Sequence, residues 1–310
     1  MFIIRFHGGL GNQMFEYCFY RYMQEYVSKD LKADLTWFDR NYKEHQGYEL
    51  DRVFGIQLRT ASYKEIAKVH EFYPRYYPLA ALRYLARKRA ARKNRNRAKK
   101  DGHIFDFGPM QYQMNPVYLT LDRDQDWYIE GVFCSDAYFQ RCEDALRQEL
   151  QFCRPLKGKN LALKEEMERR QSVAVHVRRG DYVGNAFDVV GPEYYKKAAE
   201  YIKDRVSDPV FYVFSDDMDY VEKEFTFLGE YIPVHNQGKE SYIDMQLMSC
   251  CRHMIIANST FSYWGALLGE KDDSIVIAPA RYKADEDAVL ARKNWILLST
   301  EPALGEAAQK

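Results

Sequence analysis

Apolar and polar positions along the chain fall into two regimes. Residues 2–6, FIIRF, form a short apolar run that predicts a strand, and residues 12–27 carry Met14, Phe15, Cys18, Phe19, Tyr22 and Met23 at helical spacing. LKADLTWF (31–38) reads as a second strand, whereas 40–135 is irregular and rich in Tyr and Arg. Beyond 171 the pattern becomes regular. SVAVHVRRGDY (172–182) predicts a buried strand ending in a charged turn, PEYYKKAAEYIKDRV (192–206) a helix and PVFYVFSDD (209–217) a strand ending in acids. VEKEFTFL (221–228), SYIDMQLMSCCR (241–252) and SYWGALLGE (262–270) read as helices; YIPVHN (231–236), HMIIANST (253–260) and SIVIAPA (274–280) read as strands. Continuous apolar strands alternating with helices predict an α/β fold with a parallel sheet covered on both faces.

A chain of 310 residues carries a prior of about two domains, with room for a cleft between them. A composition shift near 155–170, from CRPLKGKN into the charged helix LALKEEMERR, places the boundary: 1–160, then 161–300, with 301–310 as a tail. Apolar residues at 46% with aromatic residues at 15% exclude a disordered chain. Forty-five basic residues balance forty-five acidic ones, so nothing in the net field calls for nucleic acid. The six cysteines lack zinc-site spacing and read as reduced thiols. No signal peptide and no long apolar span is apparent, which makes the cytoplasm the expected location. One local charge feature stands out. RYLARKRAARKNRNRAKK (83–100) holds ten Lys or Arg among eighteen residues, a solvated helix face or a site of peripheral contact with an anionic membrane or acidic polymer. DRDQD (122–126) reads as an acidic loop and not as a divalent-metal site.

Candidate chemistry lies in loops that follow strands. HGGLGNQ (7–13) follows the first strand, and its glycines Gly8, Gly9 and Gly11 suit close approach of a ligand to the backbone. It falls short of the dinucleotide fingerprint, because Met14 stands where the third glycine belongs. In the second half, ligands of parallel sheets bind beyond the carboxyl ends of strands. Three polar clusters stand there: Arg178, Arg179 and Asp181; Ser215, Asp216 and Asp217; Asn258, Ser259 and Thr260. Parallel strands share a polarity, so the clusters should converge. The arginine pair suits a phosphate, or a surface salt bridge to Asp181. ANSTFS, ahead of a helix, suits a second anion contact, and together they fit a diphosphate. Asp244 either favours its helix N-terminus electrostatically or accepts hydrogen bonds from a base or ribose. The acids of SDD are placed to cap the following helix.

HVRRGDY (176–182) resembles the HxRRxD motif of bacterial α-1,2-fucosyltransferases, glycosyltransferase family 11, and of the wider α-1,2/α-1,6/protein-O-fucosyltransferase group. GGLGNQMF (8–15) is similar to the N-terminal signature of the α-1,2 branch, and residues 241–269 to its C-terminal block, in the same order and across almost the whole chain. The resemblance implies a GT-B transferase, two Rossmann-like domains facing a cleft, that moves L-fucose with inversion from GDP-β-L-fucose to the 2-hydroxyl of a terminal β-galactoside. Under it, Arg178 binds the β-phosphate with support from His176 and Arg179, and Asp244 holds the guanine end. Asn258, Ser259, Thr260 and Ser262 line the diphosphate and ribose, and His7, Gly8, Gly9, Gly11, Asn12 and Gln13 face the sugar and acceptor. No metal or other cofactor is expected, since arginine neutralises the leaving group. Asp188 is the favoured catalytic base, with Asp181 and His7 as rivals. Glu16 stands where relatives often carry Gln, and Tyr263 where they carry Trp. The alternatives are an inverting GT-B enzyme with another nucleotide sugar, and a non-catalytic protein binding membrane or acidic polymer through 83–100. The partners expected are GDP-fucose and a galactose-terminated glycan.

Overall fold

The computed structural model describes residues 1–41, 45–70, 102–107, 112–285 and 288–300. The basic run 83–100 and the tail 301–310 lie outside them. The chain divides into two compact α/β units, Met1–Gln151 and Phe152–Lys310.

The first unit is built on a four-stranded parallel sheet of β1 (Phe2–Arg5), β2 (Leu31–Asp34), β3 (His103–Asp106) and β4 (Trp127–Gly131), in the order β2-β1-β4-β3. The helix Leu10–Tyr26 follows β1 and buries most of its length. It starts two residues earlier than the apolar spacing predicts, because Gly9 serves as its N-cap and its carbonyl accepts from the Asn12 and Gln13 amides. Aromatic residues fill this core: Phe19 stacks on Phe133 at a centroid distance of 3.8 Å and meets Tyr118 and Tyr138 edge-on.

Two local readings change. The strand expected over 31–38 ends at Asp34, whose Oδ1 accepts from the Thr36 amide at 2.8 Å and turns the chain into the short helix Thr36–Arg40. The stretch 40–135, irregular in sequence, contains β3 and β4 and the helices Leu50–Phe54 and Tyr63–Val69. These strands are four and five residues long, and they carry His103, Asp106 and Glu130 within a buried sheet, so no apolar run announces them. The two carboxylates are tolerated because they are paired: Asp106 accepts from the Tyr118 hydroxyl at 2.6 Å, and Glu130 from Arg5 at 2.7 Å.

The second unit holds a six-stranded parallel sheet. Its strands are β5 (Gln171–Val177), β6 (Pro209–Ser215), β7 (Tyr231–Val234), β8 (His253–Ile255), β9 (Val276–Pro279) and β10 (Ile296–Leu298), in the order β10-β9-β8-β5-β6-β7. Val173, Val175 and Val177 of β5 alternate onto one face and pack with Phe211, Val213 and the helix Pro192–Lys203, which contributes Tyr194, Ala198 and Ile202. β10, three residues long and only half-buried, is the strand that apolar periodicity misses.

Candidate active site

Along the chain, β5, β6 and β7 are laid down in one direction across the sheet. The chain then returns to the other side of β5 to place β8, β9 and β10. The order reverses between β5 and β8. At such a switch point the connections leave in opposite directions and open a crevice beyond the carboxyl ends. His176, Arg178 and Arg179 emerge there from β5, Asp216 from β6, Asn236 from β7 and Asn258 from β8.

Arg178 is the centre of an ion-pair cluster. Its Nη2 lies 2.6 Å from Asp181 Oδ1 and its Nη1 2.8 Å from Asp216 Oδ2, and about a third of the side chain (31%) stays open to solvent. Asp216 uses its other oxygen to accept from the Arg179 amide at 2.9 Å. The Arg179 guanidinium lies over the Tyr220 ring, 4.1 Å from its centroid, with Nη1 at 3.5 Å from Asp188. Asp188 in turn accepts from the Gly184 amide at 3.0 Å. Gly180 has to be small, since a Cβ there would stand 2.6 Å from Asp216 Oδ2. Two permanently charged forks are thus held in place by acids at their flanks.

His176 is buried beside this cluster, its ring centroid 5.8 Å from that of Phe261. Burial, reinforced by the Arg178 charge, lowers its pKa to about 3. It is therefore a neutral imidazole at physiological pH and contributes shape but no charge.

The β8 block shapes the crevice from the other side. The Asn258 amide donates to the carbonyls of Phe187 at 2.9 Å and Tyr282 at 2.7 Å, fastening the loop that carries Asp188. Ser259 caps the helix Thr260–Gly269, accepting from the Phe261 amide, and the buried Ser262 hydroxyl turns inward to the carbonyls of Ala257 and Ser259. Thr260, half-buried, opens that helix. Asp244 accepts from the Asn236 backbone amide at 3.1 Å and from its side chain at 2.6 Å, while Asn236 accepts from Asn160 at 3.0 Å. Burial raises the Asp244 carboxyl to about 6 against the opposing hydrogen bonds of Asn236. Asp244, Asn258 and Ser262 thus spend side-chain hydrogen bonds on fixing the strand-end loops. Asp217 does cap the helix Met218–Glu224, whereas its neighbour Asp216 turns to the arginines; no spacing rule distinguishes the two. Tyr220 carries no signal in sequence, since only the packing of the helix Met218–Glu224 brings its ring under Arg179.

The glycine loop belongs to the first unit. Gly8 adopts a left-handed backbone (φ 74°), and a Cβ on it would reach within 2.7 Å of Asn12 Nδ2; Gly9 packs under the His45 ring, and Gly11 lies within the first helical turn. Gln13 is fully buried: its amide donates to the carbonyls of Gly8 and Gly47 and accepts from the Glu49 amide at 2.9 Å, so it splints two loops together. His7 is aimed by Glu16, a fully buried carboxylate that lies 2.6 Å from His7 Nδ1 and accepts from the His7 backbone amide. Burial raises Glu16 to about 7, His7 opposing the rise. Trp37 and Phe107 meet the imidazole edge-on.

Among the described residues no helix is long and apolar enough to cross a membrane. Residues 1–299 match the model of glycosyl transferase family 11. The chain is 31% identical to the O-antigen biosynthesis glycosyltransferase WbnK of Escherichia coli, over 94% of this chain and 98% of that one. It is also 31% identical to the α-1,2-colitosyltransferase of Escherichia coli, over 92% and 93%. A shorter match, 29% identical over 51% of this chain and 47% of the relative, links it to galactoside α-(1,2)-fucosyltransferase 1 of Homo sapiens. The fold resembles that of the crystal structure of fucosyltransferase NodZ from Bradyrhizobium, with a TM-score of 0.51 at 15% identity over 86% and 92% of the two chains. The architecture is that of the GT-B class, and the chain belongs to glycosyl transferase family 11.

Proposed function

From that membership we propose that this glycosyltransferase moves L-fucose from GDP-β-L-fucose to the 2-hydroxyl of a terminal β-galactoside of an oligosaccharide or surface glycan, inverting the anomeric centre. The single observation that carries the reading is the arginine pair at the switch point, with Arg178 pinned between Asp181 and Asp216. Departure of GDP develops negative charge on the β-phosphate. A fixed guanidinium stabilises that charge without reorganising, which is what lowers the barrier of such a transfer. Arg178 takes this role, and Arg179 and His176 define the walls of the phosphate site. Asp244, through Asn236, supports the nucleoside end, and the turn over Asn258, Ser259, Thr260 and Ser262 supports the diphosphate and ribose. Arginine does the work a divalent ion would otherwise do in charge neutralisation, so the transfer itself needs no metal.

The acceptor hydroxyl must lose a proton, and Asp188, Asp181 and His7 are the candidates. Both aspartates already face an arginine. His7 has the support of a buried carboxylate at Nδ1, which orients the ring and leaves Nε2 as the proton acceptor. We assign it the base role, with Gly8, Gly9, Gly11, Asn12 and Gln13 shaping the loop that presents it.

The 31% identity to an α-1,2-colitosyltransferase supports a second donor, since colitose is fucose without its 3-hydroxyl. The test is incubation with GDP-fucose or GDP-colitose and a panel of galactose-terminated oligosaccharides, in chelator, with linkage assigned by NMR. An α-1,2-fucosylated galactoside is the expected product. Transfer of colitose alone, or a different linkage, overturns the donor or the regiochemistry.

A further inference from the structure

A second cluster, in the first unit, uses none of the residues assigned to transfer. His70, which follows the helix Tyr63–Val69, His103 at the start of β3, and Glu130 in β4 each offer one ligand atom, and these atoms all lie within 4.8 Å of one another. His103 Nε2 stands 3.4 Å and His70 Nε2 3.9 Å from Glu130 Oε1. A tetrahedral ion with zinc-like bonds of about 2.0–2.1 Å to nitrogen and oxygen separates its ligand atoms by about 3.3–3.4 Å. The His103–Glu130 pair already has that spacing, and the His70–Glu130 pair is about half an ångström wider.

Sheet register builds the cluster. β3 and β4 pair His103 with Tyr128 and Phe105 with Glu130, so His103, Tyr128 and Glu130 share one face. Tyr128 orients both imidazoles. His70 stacks on its ring at 4.6 Å with the planes 1° apart, and His103 meets it edge-on at 5.1 Å. The Tyr128 hydroxyl is itself fixed on Asp34. Arg5 occupies Glu130 Oε2 at 2.7 Å, which turns Oε1 toward the histidines. Hydrogen-bonded carboxylates and orientation-locked imidazoles are the supporting shell a metal site requires. Among the described residues, His103 Nε2 is buried with no hydrogen-bond partner.

We propose that His70, His103 and Glu130 bind one divalent cation of the zinc class, with a fourth position left for water. Two imidazoles and one carboxylate suit Zn²⁺, whereas Mg²⁺ and Ca²⁺ prefer oxygen. The ion joins residues 70 and 103 across the intervening chain and ties both to β4, an inner strand of the sheet.

The test uses the full chain without a polyhistidine tag, stripped with chelator and desalted, and titrated with Zn²⁺ by calorimetry and with Co²⁺ by visible absorption. One equivalent is expected per chain, with cobalt d–d bands, no thiolate charge-transfer band, and a melting temperature that climbs with Zn²⁺. Losing a direct ligand in His103→Gln or Glu130→Gln should weaken binding beyond the roughly 100-fold upper end seen for supporting-shell changes. Circular dichroism verifies that each variant is folded, and His103→Gln keeps the proposal testable if removal of the buried carboxylate unfolds the chain. Absence of stoichiometric binding by the wild type overturns the proposal and leaves an ionic cluster. Undiminished binding by the folded His103→Gln protein overturns it equally.

Discussion

Asp216 Oδ2 sits 2.8 Å from Arg178 Nη1, a contact between the ends of adjacent strands that holds a guanidinium at the switch point of the sheet. Asp216 reaches it only because residue 180 has no side chain. The charge proposed to stabilise the leaving GDP is therefore positioned before substrate arrives.

Arg178→Ala is expected to lower kcat by at least about 10²–10³, by analogy with removing a preorganised donor to a developing anion. The circular dichroism spectrum should stay unchanged. A variant that keeps more than a tenth of wild-type turnover is incompatible with the assigned role. Arg178→Lys should recover little, since a single ammonium cannot bridge Asp181 and Asp216 and still face a phosphate.

Gly180→Ala should act through Asp216. The added methyl competes for the space of Oδ2, so Arg178 loses one of its two anchors. We expect kcat to fall with GDP affinity changed less, and melting temperature to shift by only a few degrees. Steady-state kinetics beside calorimetric GDP binding separate the two effects.

The base assignment divides His7 from Asp188. His7→Gln should reduce turnover by about 10²–10⁴, the usual range for losing a general base. Asp188→Asn should reduce it less, because it loosens Arg179 and removes no proton acceptor. The reverse ranking, measured under saturating GDP-fucose and acceptor, returns the role to Asp188.

Glu16 gives the stability a pH signature. Its carboxyl is raised to about 7 in the fold from an ordinary value of 4.5, with burial as the main cause. Between those values the folded chain binds a proton that the unfolded chain has lost, so this contribution to stability declines as pH rises from about 4.5 to about 7. Above pH 7 the buried carboxylate is charged. The melting temperature of Glu16→Gln relative to wild type should therefore be more favourable at pH 8 than at pH 5. A difference independent of pH would show that Glu16 does not titrate in this range.

His176 works in the opposite sense. Its folded pKa, about 3, lies below the ordinary 6.5, so stability is lost as pH falls through that interval because the unfolded chain takes up the proton first. Thermal melts of His176→Gln should decline less steeply than wild type between pH 7 and 4.5.

By itself the sequence determined the α/β class, the parallel character of the second sheet and the placing of polar groups at its strand ends. Buried parallel strands such as SVAVHV are apolar without interruption, and that pattern is local. It also carried the three motifs that mark the family, because they are contiguous in the chain. What only the tertiary structure decided is which polar side chains meet. Asp216 and Asp217 are neighbours of one type, yet one binds arginine and the other caps a helix, since successive residues leaving a strand point to different sides. Glu16 reaches His7 because the helix folds back over β1. His70, His103 and Glu130 come from a helix end and two strands, and their meeting depends on the register of β3 against β4. Register and burial are properties of the assembled sheet, fixed by packing among residues far apart in the chain, and no window of sequence contains them.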